Sequence, residues 1–312
     1  MKKVITSIVC VVLIAALLLT VLVACKNTTA GYDHPERYSV GAGYYSAGAV
    51  KSINVAWTKG EVHIYCSDEY TQVSVTEENS MEGDDYALHQ YVESDGTLWV
   101  KPYAATIDSD NPPSYEKKIL TITMPKISLT SVYVENHGAD TLIDGITSVL
   151  FKTYNTGWDT KVSNATITGE TNMSCQGVTG NCSLRGNVSG EVSISAPHSV
   201  TLCTLVSPTK VTLSGKGTVY CGLPEAIDGF TADVTTRSQL TSSDYDISKV
   251  SDNTDEGLTR YAYKTGSVQL TLKCGDWKQL FSDKVTNKIT IGKYIPSPDP
   301  EPDPTPDEGG EE

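Results

Sequence analysis

From Leu129 to Leu223 the chain repeats itself loosely. Short β-type segments alternate with Gly, Asn or Asp corners at a period of roughly twenty residues. Leu142, Val162, Cys182, Leu202 and Cys221 fall almost one period apart; Val134, Tyr154, Ser174 and Ile194 do so less uniformly. No other feature constrains the fold as much. A unit of this length holds two strands of about five residues and two corners. Such a unit cannot bury its own apolar side, so each must cap the next. The pattern predicts an all-β chain, a single-stranded β-solenoid in which short strands stack in a β-helix-like column. A β-sandwich of hairpins is the alternative, because it too places short strands about ten residues apart.

The flanking sequence is also strand-like. Large apolar residues alternate in Ile53-Asn54-Val55-Ala56-Trp57, and alternation resumes after Lys59-Gly60 from Val62 to Cys66. Ser94-Asp95-Gly96 is a hairpin turn between Leu88–Val92 and Leu98–Val100, because Asp-Gly accepts the positive φ of a tight turn. Pro125 ends the strand Ile119–Met124, since it has no N–H for the ladder. Tyr263–Cys274 alternates again, and Lys288–Ile291 is a last strand. After Cys25 no stretch places apolar residues three and four apart for long enough to make an amphipathic helix. The expected organisation is a signal peptide or anchor over 1–25, a Gly-, Ser- and Tyr-rich flexible tether over 26–50, the β-strand-repeat body over 51–294, and a tail over 295–312. In that tail proline alternates with acidic residues from Pro296 to Pro304, which forbids helix and sheet and predicts an extended, disordered segment.

The N-terminus reads as an address. Lys2 and Lys3 precede an apolar run from Val4 to Ala24, the layout of a secretory signal. Leu22-Val23-Ala24-Cys25 resembles the bacterial lipobox, which predicts lipidation of Cys25. The alternative is an uncleaved anchor helix, since the run is about as long as a bilayer span. Either way the partner is the cell membrane, reached through a lipid or a helix, and the body is extracytoplasmic. The net charge of −14 and pI near 4.8 argue against nucleic acid, whose phosphates would be repelled. Half of that charge sits in the acidic tail, so the body is only mildly acidic.

These strands resemble a known family. Val50-Lys51-Ser52-Ile53-Asn54-Val55-Ala56-Trp57, a turn, and Gly60-Glu61-Val62-His63-Ile64 are similar to the opening of a bacterial adhesin-like β-strand-repeat family of unknown function. Gly96-Thr97-Leu98-Trp99-Val100, Leu120-Thr121-Ile122-Thr123-Met124-Pro125 and Gly266-Ser267-Val268-Gln269-Leu270-Thr271-Leu272 fit the same family. The resemblance spans about 50–294. It implies an exported β-solenoid on the cell surface and carries over no catalytic residue. Cys274-Gly275-Asp276-Trp277-Lys278 departs from it, standing where a Ser-Gly corner is usual.

Catalytic and cofactor motifs are absent from the sequence: there is no G-x-S-x-G, no P-loop and no H-E-x-x-H. No catalytic residue, metal site or cofactor is therefore expected. His63 lies on the strand face opposite Val62, Ile64 and Cys66 and reads as a half-exposed strand residue. Asp85, Asp140, Asp144 and Asp159 lie near strand ends, where Asp ordinarily caps its own turn. Trp57, Trp99, Trp158 and Trp277 are the candidates for a ligand-stacking platform, or else pack the core. Cys182 with Cys203, or Cys203 with Cys221, are candidate disulfide partners on adjacent rungs, or else buried thiols. These features suit a non-catalytic adhesive or ligand-binding surface protein whose partner is a glycan or another surface protein. An extracytoplasmic sensory or regulatory domain for envelope stress and a carbohydrate-active β-helix enzyme are the alternatives.

Overall fold

The structure, a computed structural model, describes residues 34–107, 112–235, 240–253, 258–275 and 288–294. Twenty-three strands form one hydrogen-bonded network that folds into two ladders. Three single-turn 3-10 segments join them, and there is no α-helix among the described residues. From end to end the first ladder comprises β1 (Ser39–Val40), β6 (His89–Val92), β7 (Thr97–Lys101), β3 (Ser52–Thr58), β9 (Ser128–His137), β11 (Thr147–Asn155), the second half of β12 (Thr160–Cys175), β14 (Glu191–Ser195), β16 (Lys210–Gly215), β22 (Val268–Cys274), β18 (Gly229–Thr235), β21 (Leu258–Lys264) and β20 (Ser248–Asn253). The second comprises β2 (Gly43–Ser46), β5 (Gln72–Asn79), β8 (Lys118–Met124), β4 (Glu61–Cys66), β10 (Thr141–Asp144), the first half of β12, β13 (Cys182–Val188), β15 (Ser199–Thr204), β17 (Thr218–Pro224), β23 (Lys288–Tyr294) and β19 (Ser242–Ser243).

Pairing is parallel from β7 to β18 and from β8 to β19. This is the solenoid, not the sandwich: hairpins would have made the central strands antiparallel. Each coil sends one strand into each ladder, and alternate residues of both enter a single core. Ile64, Ile143, Val162, Leu184, Leu202, Cys221 and Ile291 form one rung of that core. Val134, Thr153, Met173, Ile194, Leu213 and Leu272 form another. The repeat is therefore real, but its register differs by one or two residues at several coils from the alignment read in the sequence. Leu142 pairs Lys161 and Cys182 pairs Thr160, whereas Ile143 and Leu184 stand beside Val162. Tyr154 and Ser174 flank the core rung on the outward side. Coil lengths vary slightly, and a shift of one residue moves a side chain to the other face.

The corners are tight enough to require glycine at stacked positions. A Cβ on Gly177 would lie 1.4 Å from the carbonyl oxygen of Gly157 in the coil below. Gly190, with φ of +76°, faces Gly169 in the same way.

Chain order and spatial order diverge at both ends. The β3–β4 coil precedes β7–β8 in sequence but lies inside it, between β7–β8 and β9–β10. At the other end β22–β23 comes last yet slots between β16–β17 and β18–β19. Lys288–Tyr294 thus belongs to the penultimate coil. Antiparallel strands then cover most of the terminal edges: β5 with β2, β6 with β1, and β21 with β20. The outermost strands β1, β2 and β19 are short, and β20 is exposed and carries Lys249 and Asp252. Such edges resist pairing with another chain.

Part of the segment expected as tether joins the body. Ser39–Val40 pairs β6 and Gly43–Ser46 pairs β5, so the folded region begins before Val50. Gly43, which suggested flexibility, sits where any Cβ would strike the Gln90 side chain, 2.5 Å away. Residues 1–33, including Cys25, and the tail 295–312 lie outside the described residues.

Candidate functional site

The residues that enter the second-ladder strands stack in a column. Val62, Thr141, Thr160, Cys182 and Val200 are in register, so Glu61, Asp140, Asp159, Asn181 and Ser199, each one position earlier, line one corner of the solenoid. Neighbouring strands are about 4.8 Å apart, within reach of a short polar side chain. Asp159 N–H donates to Asp140 Oδ1 (3.0 Å). Asn181 donates to Asp159 Oδ1 from its backbone N–H and its Nδ2, both at 2.9 Å. His198 Nδ1 lies 2.9 Å from Asn181 Oδ1, which also accepts from the Ser199 hydroxyl. Each side chain thus caps the next coil, the Asp and Asn turn chemistry expected at corners. One oxygen of each carboxylate is used in this way, leaving the second as an acceptor.

Beside the column lies an open cleft of about 540 Å³, lined by Glu61, Asp140, Trp158, Asp159, Asn181 and His198, with Ala139 and Thr179 at its margins. Glu61 Oε2 is bound by His63 Nε2 at 2.8 Å, which fixes that end. Trp158 is 62% exposed although it is one of the largest apolar side chains in the chain. Its corner holds it up through its own carbonyl, which accepts from the Cys175 thiol at 3.0 Å. The cleft therefore combines an exposed indole face with carboxylate, amide and imidazole groups. Among the described residues no three His, Cys, Asp or Glu side chains come together as a metal site.

The tryptophans do not form one platform. Trp57 is buried in the core at the β7–β8 end, and Trp99 is half-buried on β7, with its Nε1 donating to Glu93 Oε2 at 3.1 Å. Trp158 alone among the described tryptophans faces solvent in the cleft, and Trp277 lies outside the described residues. Of the corner aspartates, Asp140 and Asp159 meet in the column. Asp144 is at the opposite end of its strand, accepting from Ser163 (2.7 Å) and Asn164 (2.9 Å). Asp85 belongs to a 3-10 turn at the β7–β8 end. Asn181 and His198 are not among the candidate site residues read from the sequence, although the near-period spacing of Asp140, Asp159 and Asn181 was an available signal.

The expected cysteine pairs are not in register. Cys203 is in register with Gly222, and Cys221 with Leu202. Consecutive residues of a strand point to opposite faces, so Cys203 stands on the outer side of its strand and Cys221 in the core. Cys182 pairs Val200, three residues before Cys203. All six described cysteines are buried free thiols. Burial, with the Asp144 charge second, pushes the Cys66 thiol up to about 12.

Fold and corner together define an all-β parallel solenoid that presents a polar, tryptophan-flanked cleft on its surface. No protein-family model matches the chain, and no curated protein does. Solved structures to which the chain is distantly similar include these two. A "putative adhesin" from Bacteroides fragilis is 15% identical, with a TM-score of 0.46 over 82% of this chain and 97% of that one. A "putative cell adhesion protein" from Clostridium sporogenes is 11% identical, with a TM-score of 0.36 over 82% of this chain and all of that one. At these scores neither likeness carries a function to this chain.

Proposed function

We propose that this protein is a surface adhesin whose corner cleft binds a saccharide, held outside the cell at a membrane by its N-terminus. The observation that carries the reading is Trp158, 62% exposed beside the Asp140–Asp159–Asn181–His198 column. A solvent-exposed indole is a flat apolar face with no hydrophobic partner of its own. A sugar ring offers the matching surface: C–H groups on one face for the indole, and hydroxyls around the rim for the second carboxylate oxygens and the amide. The cleft is open and shallow, which suits capture of a terminal or internal sugar of a long chain better than enclosure of a small metabolite.

The role is binding, not turnover. Asp140 and Asp159 each commit an oxygen to holding the next coil, and this ties their positions to the integrity of the stack. The apolar run ending at Ala24-Cys25 would supply the anchor, and the acidic Pro-rich tail a solvated end.

A glycan array probed with the full-length chain, beside Trp158→Ala, tests the reading. The unaltered protein is expected to retain a defined set of glycans, and the variant to lose at least about fivefold in affinity, since losing one stacked base or ring commonly costs about 1–3 kcal/mol. Binding to no glycan, or equal binding by both proteins, would remove the proposal.

A further inference from the structure

A second chemistry lies directly behind the cleft, independent of whether the cleft binds sugar. Where each first-ladder strand ends and the chain turns toward the second ladder, an inward polar side chain closes the corner. Asn136, Asn155 and Cys175 occupy this position in successive coils, in register with one another. Asn136 Nδ2 donates to the carbonyls of Ala139 and Asp140 and lies 3.2 Å from Thr141 Oγ1. Asn155 Nδ2 donates to the carbonyls of Ala139 and Asp159. In the third coil Cys175 Sγ takes over, donating to the carbonyls of Trp158 (3.0 Å) and Asn181 (3.6 Å) and lying 3.7 Å from Thr160 Oγ1. On the far side of the same corners stand Thr141, Thr160 and Cys182, again in register. Among the described residues the third coil is therefore the one place where both corner positions are cysteines: Cys175 Sγ lies 3.7 Å from the hydroxyl of Thr160, which is in register with Cys182, and 3.6 Å from the carbonyl of Asn181, the residue before Cys182.

We propose that Cys175 and Cys182 form a disulfide on exposure to a small-molecule disulfide oxidant, locking the turn 176–181 that borders the cleft. The thiolate of Cys175 attacks one sulfur of the oxidant, which leaves as a thiolate and takes up a proton. The Cys182 thiol then loses its proton and displaces the second oxidant sulfur from Cys175. One protein S–S bond has formed, one oxidant S–S bond has broken, and two small thiols are released. The hydrogen bond from Cys182 draws the Cys175 thiol below the ordinary cysteine value, whereas Cys182 itself is pushed up, so the first thiolate falls on Cys175. Both thiols are buried, at 3% and 1% exposure, so the oxidant reaches them by opening of the turn 176–181, whose Val178 is 71% exposed. Cys66, Cys203 and Cys221 are buried thiols pushed upward by desolvation, and Cys203 and Cys221 are out of register on opposite faces of their strands.

The test uses the full-length protein equilibrated with oxidised glutathione, quenched in acid, unfolded and alkylated. Trypsin cuts after Lys161 and Arg185 and nowhere between, so the peptide 162–185 carries both cysteines. It is expected to be lighter by two hydrogens and to take up no alkylating agent, while Cys66, Cys203 and Cys221 are alkylated. The thermal midpoint of the oxidised protein should fall when reductant is added, and Cys175→Ser should abolish that response. Alkylation of both Cys175 and Cys182 after oxidation would overturn the proposal. So would glutathione left on each of them, or a bridge to Cys203 or Cys221.

Discussion

At the scale of single residues the least expected feature is a buried lysine. The Lys118 side chain has no exposed surface and meets the nearly buried carboxylate of Glu77 at 3.0 Å. Its ammonium also donates to the Tyr86 carbonyl and lies 4.2 Å from the centre of the Tyr115 ring and 5.0 Å from that of Trp57. Burial pulls its pKa below the ordinary lysine value, and the Glu77 charge opposes this. Removing one partner of such a pair strands the other charge without water. Lys118→Ala is therefore expected to lower the urea-unfolding free energy by about 3–5 kcal/mol. Lys118→Met combined with Glu77→Gln should recover most of that loss, because no charge is then left buried. A cost for the double variant equal to that of the single one would contradict this account. Nothing in the sequence marked Lys118 as buried: it stands in an alternating strand beside Lys117, which is exposed and paired to Glu78. Only the neighbouring strand β5, which carries Glu77, and the 3-10 turn that brings Tyr86 over it make the difference.

At the scale of elements the ends of the stack depend on ribbons that the repeat does not contain. β18 holds β21 by a ladder and by the two-pronged pair of Arg260 Nε and Nη2 with Asp233, at 2.6 and 2.8 Å. Behind it Phe230, Tyr245 and Tyr263 form an aromatic cluster with centroids 5.0–5.6 Å apart. The Tyr245 hydroxyl ties that cluster to the carbonyls of Leu223 and Pro224. The Arg260 hydrogen bonds hold the Asp233 carboxyl below its ordinary value. A depressed folded value means that the pair stabilises above the unfolded aspartate pKa, about 3.9, and that this is lost as pH falls through the folded value. Asp233→Asn should therefore lower the melting temperature at neutral pH, and the gap from the unaltered protein should close under acid. Calorimetry across that range checks it, and a gap that widened in acid would have the wrong sign. The strand Phe230–Val234 is legible from alternation, whereas β20, exposed throughout, has Val250 as its one apolar residue and no alternation.

At the scale of the whole molecule the exchange of coil order at each end has a mechanical consequence. β22 and β23 pair on both sides and close the stack, although the chain delivers them last. Among the described residues β18 pairs only β22 and β21. A chain stopped after Thr235 should therefore leave the outer edges of β16 and β17 bare and β18 undocked. Bare, flat parallel edges recruit other chains, so that truncation is expected to form aggregates visible by light scattering. A soluble monomer melting like the full chain would refute the closing role of β22–β23.

By itself the amino-acid sequence determined the all-β class, the stacking of coils and most strand positions, because alternation and corner residues are local properties of the chain. It also singled out Trp158, Asp140 and Asp159. The order of the end coils, the one-residue registers and the burial of Lys118 were decided only in three dimensions. So was the placing of Cys175 and Cys182 at one corner, and of Trp158 beside Asn181 and His198. Each depends on which strand lies beside which, and parallel ladders between distant segments are set by the packing of the whole core, not by any stretch short enough to read.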